Sequence, residues 1–151
     1  MKKLFIAALM VVTLAGSAIA AVVPSPIPVT SKMLNHFNTA FAGATNVQWK
    51  TGSVFVKAAF LQDNQQWEAF YDLDGDLFGT SRNVEMSSLP ARATACINKK
   101  YSCYSIKEVI EFNNAKEDNV YFYVSLVKDG IKLIMQVETN GEVSVFKKSK
   151  V

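Results

Sequence analysis

Four short polar dipeptides punctuate this chain: Asp63-Asn64, Asp74-Gly75, Asp129-Gly130 and Asn140-Gly141. Each separates two runs in which apolar and polar residues alternate. Asx-Gly is the strongest short-range signal for a tight hairpin, because both residues tolerate positive φ. Hairpins join antiparallel neighbours, so the chain is committed to an antiparallel sheet. Between the turns, Trp67, Ala69 and Tyr71 alternate with Glu68 and Phe70. Val120, Phe122, Val124 and Leu126 share one side of the "NVYFYVSLV" run. Ile131, Leu133, Met135 and Val137 share one side of "IKLIMQVE". In "SVFVKAAF" the same rule places Val54, Val56, Ala58 and Phe60 together and Phe55 and Lys57 opposite them.

Two stretches break this period. Leu34, Phe37 and Phe41 fall on one helical face after a cap at Thr30 or Ser31, with Gly43 as a stop. Leu89, Ala93, Ile97 and Tyr101 recur every four residues behind Ser88 as cap, with Pro90 in the first turn. Strands at Val47–Trp49, Leu77–Arg82, Ile106–Phe112 and Val143–Phe146 complete the order: helix, four strands, helix, four strands. The pattern repeats at an offset of roughly 60–66 positions, which reads as a duplicated unit. The expected class is α+β: tandem helix-plus-four-antiparallel-strand units, spanning 31–84 and 88–147, forming one sheet with two helices packed on one face.

The N-terminus reads as an export signal. Lys2 and Lys3 precede an apolar run from Leu4 to Leu14, and Ala18-Ile19-Ala20 offers a small-x-small cleavage pattern. Cleavage after Ala20 assigns residues 1–20 to the signal and the mature chain to the periplasm. The run is shorter than the roughly 20 residues a membrane helix needs, and no later run approaches that length, so no span is expected in the mature chain. Ser17 stands where a lipid-bearing Cys would be in a lipoprotein signal. Residues 21–30, with Pro24, Pro26 and Pro28, read as an extended leader. Lys2 and Lys3 also supply two of the three net positive charges, so the composition carries no nucleic-acid footprint.

Cys96 and Cys103 are the two cysteines. In one continuous helix their Cα atoms would lie about 10 Å apart at 1.5 Å per residue, too far to bond. A disulfide is therefore open only if the helix ends between them.

The acidic stretch "YDLDGDL" raises the question of calcium. Asp72, Asp74 and Asp76 alternate, but Gly75 follows the second Asp directly and no Glu occupies the twelfth position of an EF-hand loop. The reading is a two-residue hairpin turn at Asp74-Gly75; calcium on the three aspartates is the alternative, and no cofactor is expected. Glu68 and Asp72 lie about 13 Å apart along one strand, beyond the roughly 5 to 10 Å that glycosidase carboxylates need. His36 is the one histidine, and neither a nucleophile elbow nor a phosphate loop occurs; Ser53 after Gly52 is an ordinary turn-to-strand step. No catalytic residue is assigned, and the chain is expected not to be an enzyme.

Phe55, Lys57, Glu68, Phe70, Tyr121, Tyr123 and Lys132, with Ile134 and Gln136, fall on the sheet face opposite the helices. Aromatics interspersed with charges suit a surface that docks a protein; they also suit cross-strand pairs that stabilise the sheet.

The segments "FAGATNVQW", "WEAFYDLDGDL", "LP" before the second helix, and "KKYSCYSIKEV", in that order, resemble the PepSY-like or β-lactamase-inhibitor-protein-like (BLIP-like) exported proteins common in Bacteroidota. The resemblance runs from Ser31 to Phe146. It implies a periplasmic tandem helix-plus-sheet domain with no established catalytic residues. In that family the inhibitor protein grips its enzyme with a concave sheet face, but a shared fold does not carry the role over. The export signal, the duplicated sheet, the missing catalytic constellation and the aromatic outer face are what point to a module that binds or inhibits another protein. The expected partner is a protein of the periplasm or cell envelope. A calcium-binding or small-ligand-binding envelope protein is the alternative.

Overall fold

The computed structural model describes residues 27–151. The export signal, its cleavage site and most of the Pro-rich leader lie outside the described residues. Helix α1 (Ser31–Ala40) leads into β1 (Thr45–Thr51), β2 (Val56–Gln62), β3 (Gln65–Tyr71) and β4 (Leu77–Asn83). A 3-10 turn (Met86–Ser88) and helix α2 (Ala91–Lys100) lead into β5 (Ser105–Asn114), β6 (Asn119–Lys128), β7 (Ile131–Glu138) and β8 (Val143–Lys150). The eight strands form one antiparallel sheet in chain order. The expected α+β class, with two helices on one face of a single sheet, is the observed one. No helix among the described residues is long and apolar enough to cross a membrane.

Each helix closes a core over its own four strands. Met33 and Phe37 pack on Val56, Ala58, Phe60, Ala69 and Tyr71. Leu89, Ala93 and Ile97 pack on Val109, Phe122, Val124, Leu126, Leu133, Met135 and Val137. Between these cores lies the cross-strand row Trp67–Arg82–Glu111–Phe122. The Arg82 guanidinium stacks over Trp67 at 4.9 Å and grips Glu111 with two bonds, Nε to Oε1 at 2.9 Å and a terminal nitrogen to Oε2 at 3.1 Å. Planar stacking and bidentate pairing are both arginine-specific, and here they fill the gap between the two helices with a satisfied polar layer.

The helices pack through slightly different residues than the spacing suggests. Thr30 caps α1, its Oγ1 accepting from the Met33 N–H at 3.3 Å. Met33, not Leu34, takes the first inward position, because Met33 and Phe37 at i and i+4 stand one above the other. Leu34 turns to the margin and is exposed. Ser88 ends the 3-10 turn instead of capping α2, and Pro90 occupies the N-cap position without a side-chain bond. Val54 is not a strand residue. The chain reverses over Gly52–Phe55, closed by the Gly52 N–H to Phe55 carbonyl bond of 3.0 Å, which leaves Val54 exposed at the tip.

Asp63-Asn64 and Asp129-Gly130 form two-residue turns with positive φ at both positions, as expected. The Asp74-Gly75 and Asn140-Gly141 turns are longer. The Gly75 N–H bonds the Asp72 carbonyl at 3.1 Å and the Asp72 N–H bonds the Asp76 carbonyl at 3.0 Å. Glu138, Gly141 and Glu142 repeat this arrangement. These are three-residue loops with glycine alone in the left-handed position. Gly75 and Gly141 both have φ of +82°, and each lies against the start of a helix: a Cβ there would stand 3.3 Å from Thr30 Oγ1 and 3.0 Å from Arg92 Cβ, respectively. Both halves thus use one device to dock a helix start on a hairpin end.

Candidate functional site: the sheet face without helices

The opposite face of the sheet carries no second layer among the described residues, yet it is not open. Phe70, Phe112 and Tyr123 are each 1% exposed and Ile134 is 3% exposed. Phe55, Phe78, Ile110, Tyr121 and Phe146 pack around them, half-buried. Phe70 stands 5.8–6.1 Å from the rings of Phe55, Phe78 and Phe112, and Tyr123 meets Phe146 edge-on at 5.2 Å. A flat sheet would leave such rings in solvent; the twist and curl of eight strands lean them over one another. The face is therefore a small third core with a half-exposed aromatic rim.

Two of the rim residues come from bulges. The ladder slips between Phe70 and Tyr71 opposite β4, and between Ile134 and Met135 opposite β8. Each slip inserts one residue, Phe78 and Phe146 respectively, and a bulge re-aims a side chain. Period-two alternation misses both. Adjacent apolar pairs such as Leu77-Phe78 and Val145-Phe146 do not mark these slips in the sequence, because the regular strand β6 carries the same pattern at Phe122-Tyr123-Val124.

The sequence-predicted docking residues divide. Phe55, Lys57, Glu68, Tyr121 and Lys132 are half-buried and reach the surface. Phe70 and Tyr123 share their face but are interior, so they support the rim instead of touching a partner. Burial pushes the Tyr123 phenol well above its usual range, with Tyr121 and Glu117 adding to the shift. Its hydroxyl finds no hydrogen-bond partner among the described residues. Lys57 and Glu68 pair at 2.6 Å, with Ser81 Oγ 3.5 Å from the second carboxylate oxygen.

The acidic turn is tied down by lysines. Asp72 Oδ1 accepts the N–H groups of Asp74 (3.1 Å) and Asp76 (2.9 Å), while Oδ2 holds Lys116 Nζ at 2.5 Å. Lys32 Nζ reaches Asp76 Oδ1 at 2.7 Å and the Asp74 carbonyl at 3.1 Å. Among the described residues no group of three or more potential ligands is arranged to hold a metal. Burial alone would raise the Asp72 carboxyl; the Lys116 bond and the two backbone donors outweigh it and hold the group below its ordinary value. The same bond raises Lys116.

A depressed carboxyl stabilises the fold above its unfolded value, near 3.9, and that contribution is lost as pH falls through the lower folded value. Lys116→Met is therefore expected to lower Tm at pH 6 and to approach the parent as pH falls through the lowered Asp72 value. Thermal melts between pH 2 and 7 check this; a constant offset between the two proteins across the whole range refutes it.

Other candidate chemistries are accounted for structurally. His36 Nδ1 lies 3.1 Å from the hydroxyl of buried Tyr71, whose phenol burial raises to about 12. The imidazole thus serves a buried polar group. Glu68 sits on the sheet face with Lys57, whereas Asp72 sits in the turn with Lys116, so the two carboxylates do not converge on one site. Cys96 and Cys103 are both free. Helix α2 does end between them, as bonding would require, but the Cys103 sulfur accepts from Lys128 Nζ at 3.3 Å instead.

No family model matches the chain, and no curated protein matches it. Solved structures do. A BLIP-like protein from Bacteroides fragilis superposes with a TM-score of 0.68 at 17% identity, over 82% of this chain and 87% of that one. A protein designated periplasmic from Bacteroides eggerthii gives 0.71 at 12% identity, over 82% and 90%. A DUF2874 family protein from Bacteroides uniformis gives 0.70 at 14% identity, over 81% and 89%. The class is therefore an α+β sheet protein with the BLIP-like fold, spanning nearly the whole length of these neighbours. At such identities the likeness concerns the fold, and function has to be argued from the face described above.

Proposed function

We propose that this chain is a non-enzymatic periplasmic module that docks a protein of the cell envelope through the helix-free sheet face, and that docking restrains the partner. The observation that carries the reading is the half-exposed rim of Phe55, Phe78, Tyr121 and Phe146 above a buried aromatic floor. Rigid aromatics with few free rotamers, bordered by charges such as Lys57, Glu68 and Lys132, suit a protein partner. The N-terminal export pattern and the designation of the Bacteroides eggerthii neighbour support the periplasm. The BLIP-like neighbour supports the inhibitory half of the reading.

The test uses residues 21–151, immobilised against a periplasmic extract of the source organism, with mass spectrometry of what is retained. Phe55→Ser combined with Tyr121→Ser is expected to weaken capture of a dominant envelope protein about 100-fold, as for two interface anchors, at an unchanged fold by circular dichroism. Capture that survives the double variant removes the surface assignment.

A further inference from the structure

The helix-free face is electrostatically uneven. At one end Lys57 neutralises Glu68, and Glu117 accepts from the Tyr121 hydroxyl at 3.3 Å. At the other end a shallow cleft of about 420 Å³ is lined by Asn83, Lys107, Glu108, Ser125 and Lys132. Ser125 lies directly between Glu108 on β5 and Ile134 on β7, and Lys147 on β8 lies across from Ile134. Lys107 and Lys132 therefore line the cleft beside Glu108, with Lys147 farther along the same cross-strand row, and none of the four makes an ion pair among the described residues.

Ser125 is 5% exposed, and its Oγ makes no hydrogen bond to any described group. Buried hydroxyls are ordinarily paired, so an orphan lining a cleft requires explanation. A hydroxyl donor at the floor with ammonium groups around it is complementary to a carboxylate. Glu108 offsets one lysine, leaving the cleft net cationic.

We propose that this cleft is a carboxylate subsite, taking an Asp or Glu side chain from an acidic segment of the docked protein. The guest carboxylate accepts from Ser125 Oγ and from Lys107 and Lys132. Continuity favours a peptide source: Asn83 pairs in register with Ile110, and Ile134 belongs to the aromatic cluster, so cleft and rim form one surface. The inference rests on the docking reading and deepens it, because it states the chemistry of the partner's anchor.

The experiment is an amide-resolved NMR titration of residues 21–151 with the acetylated, amidated peptide EEWEE, its neutral counterpart QQWQQ, sodium acetate and sodium phosphate. EEWEE is expected to shift the amides of Glu108, Ser125 and Lys132, and to bind about tenfold tighter than QQWQQ at low salt. Lys132→Glu should remove that difference. Ser125→Ala should weaken EEWEE severalfold while leaving Tm unchanged or higher, since it deletes an unpaired buried hydroxyl.

Equal binding of the two peptides, or shifts confined to other strands, overturns the proposal. So does unchanged EEWEE affinity in Ser125→Ala. Phosphate or acetate binding as tightly as EEWEE assigns a free-anion site and overturns the peptide source. Because the titration uses no partner, it can fail while capture through Phe55 and Tyr121 succeeds, and the reverse.

Discussion

Phe70→Ala is expected to destabilise the protein by about 3–5 kcal/mol, as for a fully buried phenylalanine, although the residue lies on a sheet face with no covering layer. Phe70 is 1% exposed and touches the rings of Phe55, Phe78 and Phe112. Truncation opens a cavity beneath the rim that the backbone ladders on both sides of β3 prevent from collapsing. Phe55→Ala, at the half-exposed edge of the same cluster, is expected to cost no more than about 1–2 kcal/mol, since less area leaves water. Urea unfolding of both variants checks the contrast. Equal, small losses would mean that the face is a solvated surface and that its burial does not hold the fold.

The second large effect is expected from Gly79→Ala. Gly79 pairs with Phe70 on β3 and with Asn114 on β5. A Cβ there would stand 2.7 Å from the Asn113 carbonyl oxygen and 2.9 Å from Phe112 Cε2. The ring of Phe112 occupies the space that a side chain at position 79 would fill. Neither a backbone carbonyl in a central ladder nor a buried ring can retreat cheaply, so a loss of about 2–4 kcal/mol is expected, at the upper end for overpacking. Phe112→Leu alone should also destabilise, but combined with Gly79→Ala it should recover part of the loss. That non-additivity is the signature of two groups competing for one volume. Strictly additive losses would place the cost of Gly79→Ala in the backbone instead. The join between the two halves runs through β4 and β5, so strain at Gly79 reaches both cores.

These two variants bear on how docking has to be tested. Tyr123 is as buried as Phe70, so replacing it with serine would unfold the face instead of probing a contact. Phe55 and Tyr121 are the informative positions, because their side chains reach the surface while the floor beneath them stays intact.

Much of this architecture is local chemistry, and local chemistry is legible in a linear chain. Asx and glycine mark the reversals, period-two alternation assigns residues such as Val124 and Tyr123 to opposite faces, and period-four spacing aligns Leu89, Ala93 and Ile97. Backbone geometry dictates these patterns with no reference to distant neighbours. Most of the helix-facing strand positions could therefore be named from the sequence, as could part of the other face, whereas Phe78 and Phe146, which the bulges aim there, could not.

Burial on that other face was a different matter. Phe70 and Tyr123 become interior, while Phe55 and Tyr121 remain at the surface, because eight twisted strands curl and because two bulges bring Phe78 and Phe146 over the gap. Curvature is a property of the whole sheet, and no window of alternation contains it. The same holds for Lys116 on Asp72 and for Arg82 between Trp67 and Glu111, pairs set by register across strands distant in sequence. It holds equally for the Ser125 hydroxyl, whose isolation depends on what β5 and β7 place beside it. The elements, their order and the face of most regular strand residues could be read from the linear chain, since those follow from the geometry of adjacent peptide units; the bulged Phe78 and Phe146 and the turn residue Val54 are the exceptions. The tertiary structure alone decided which of those residues meet solvent, since that depends on long-range packing.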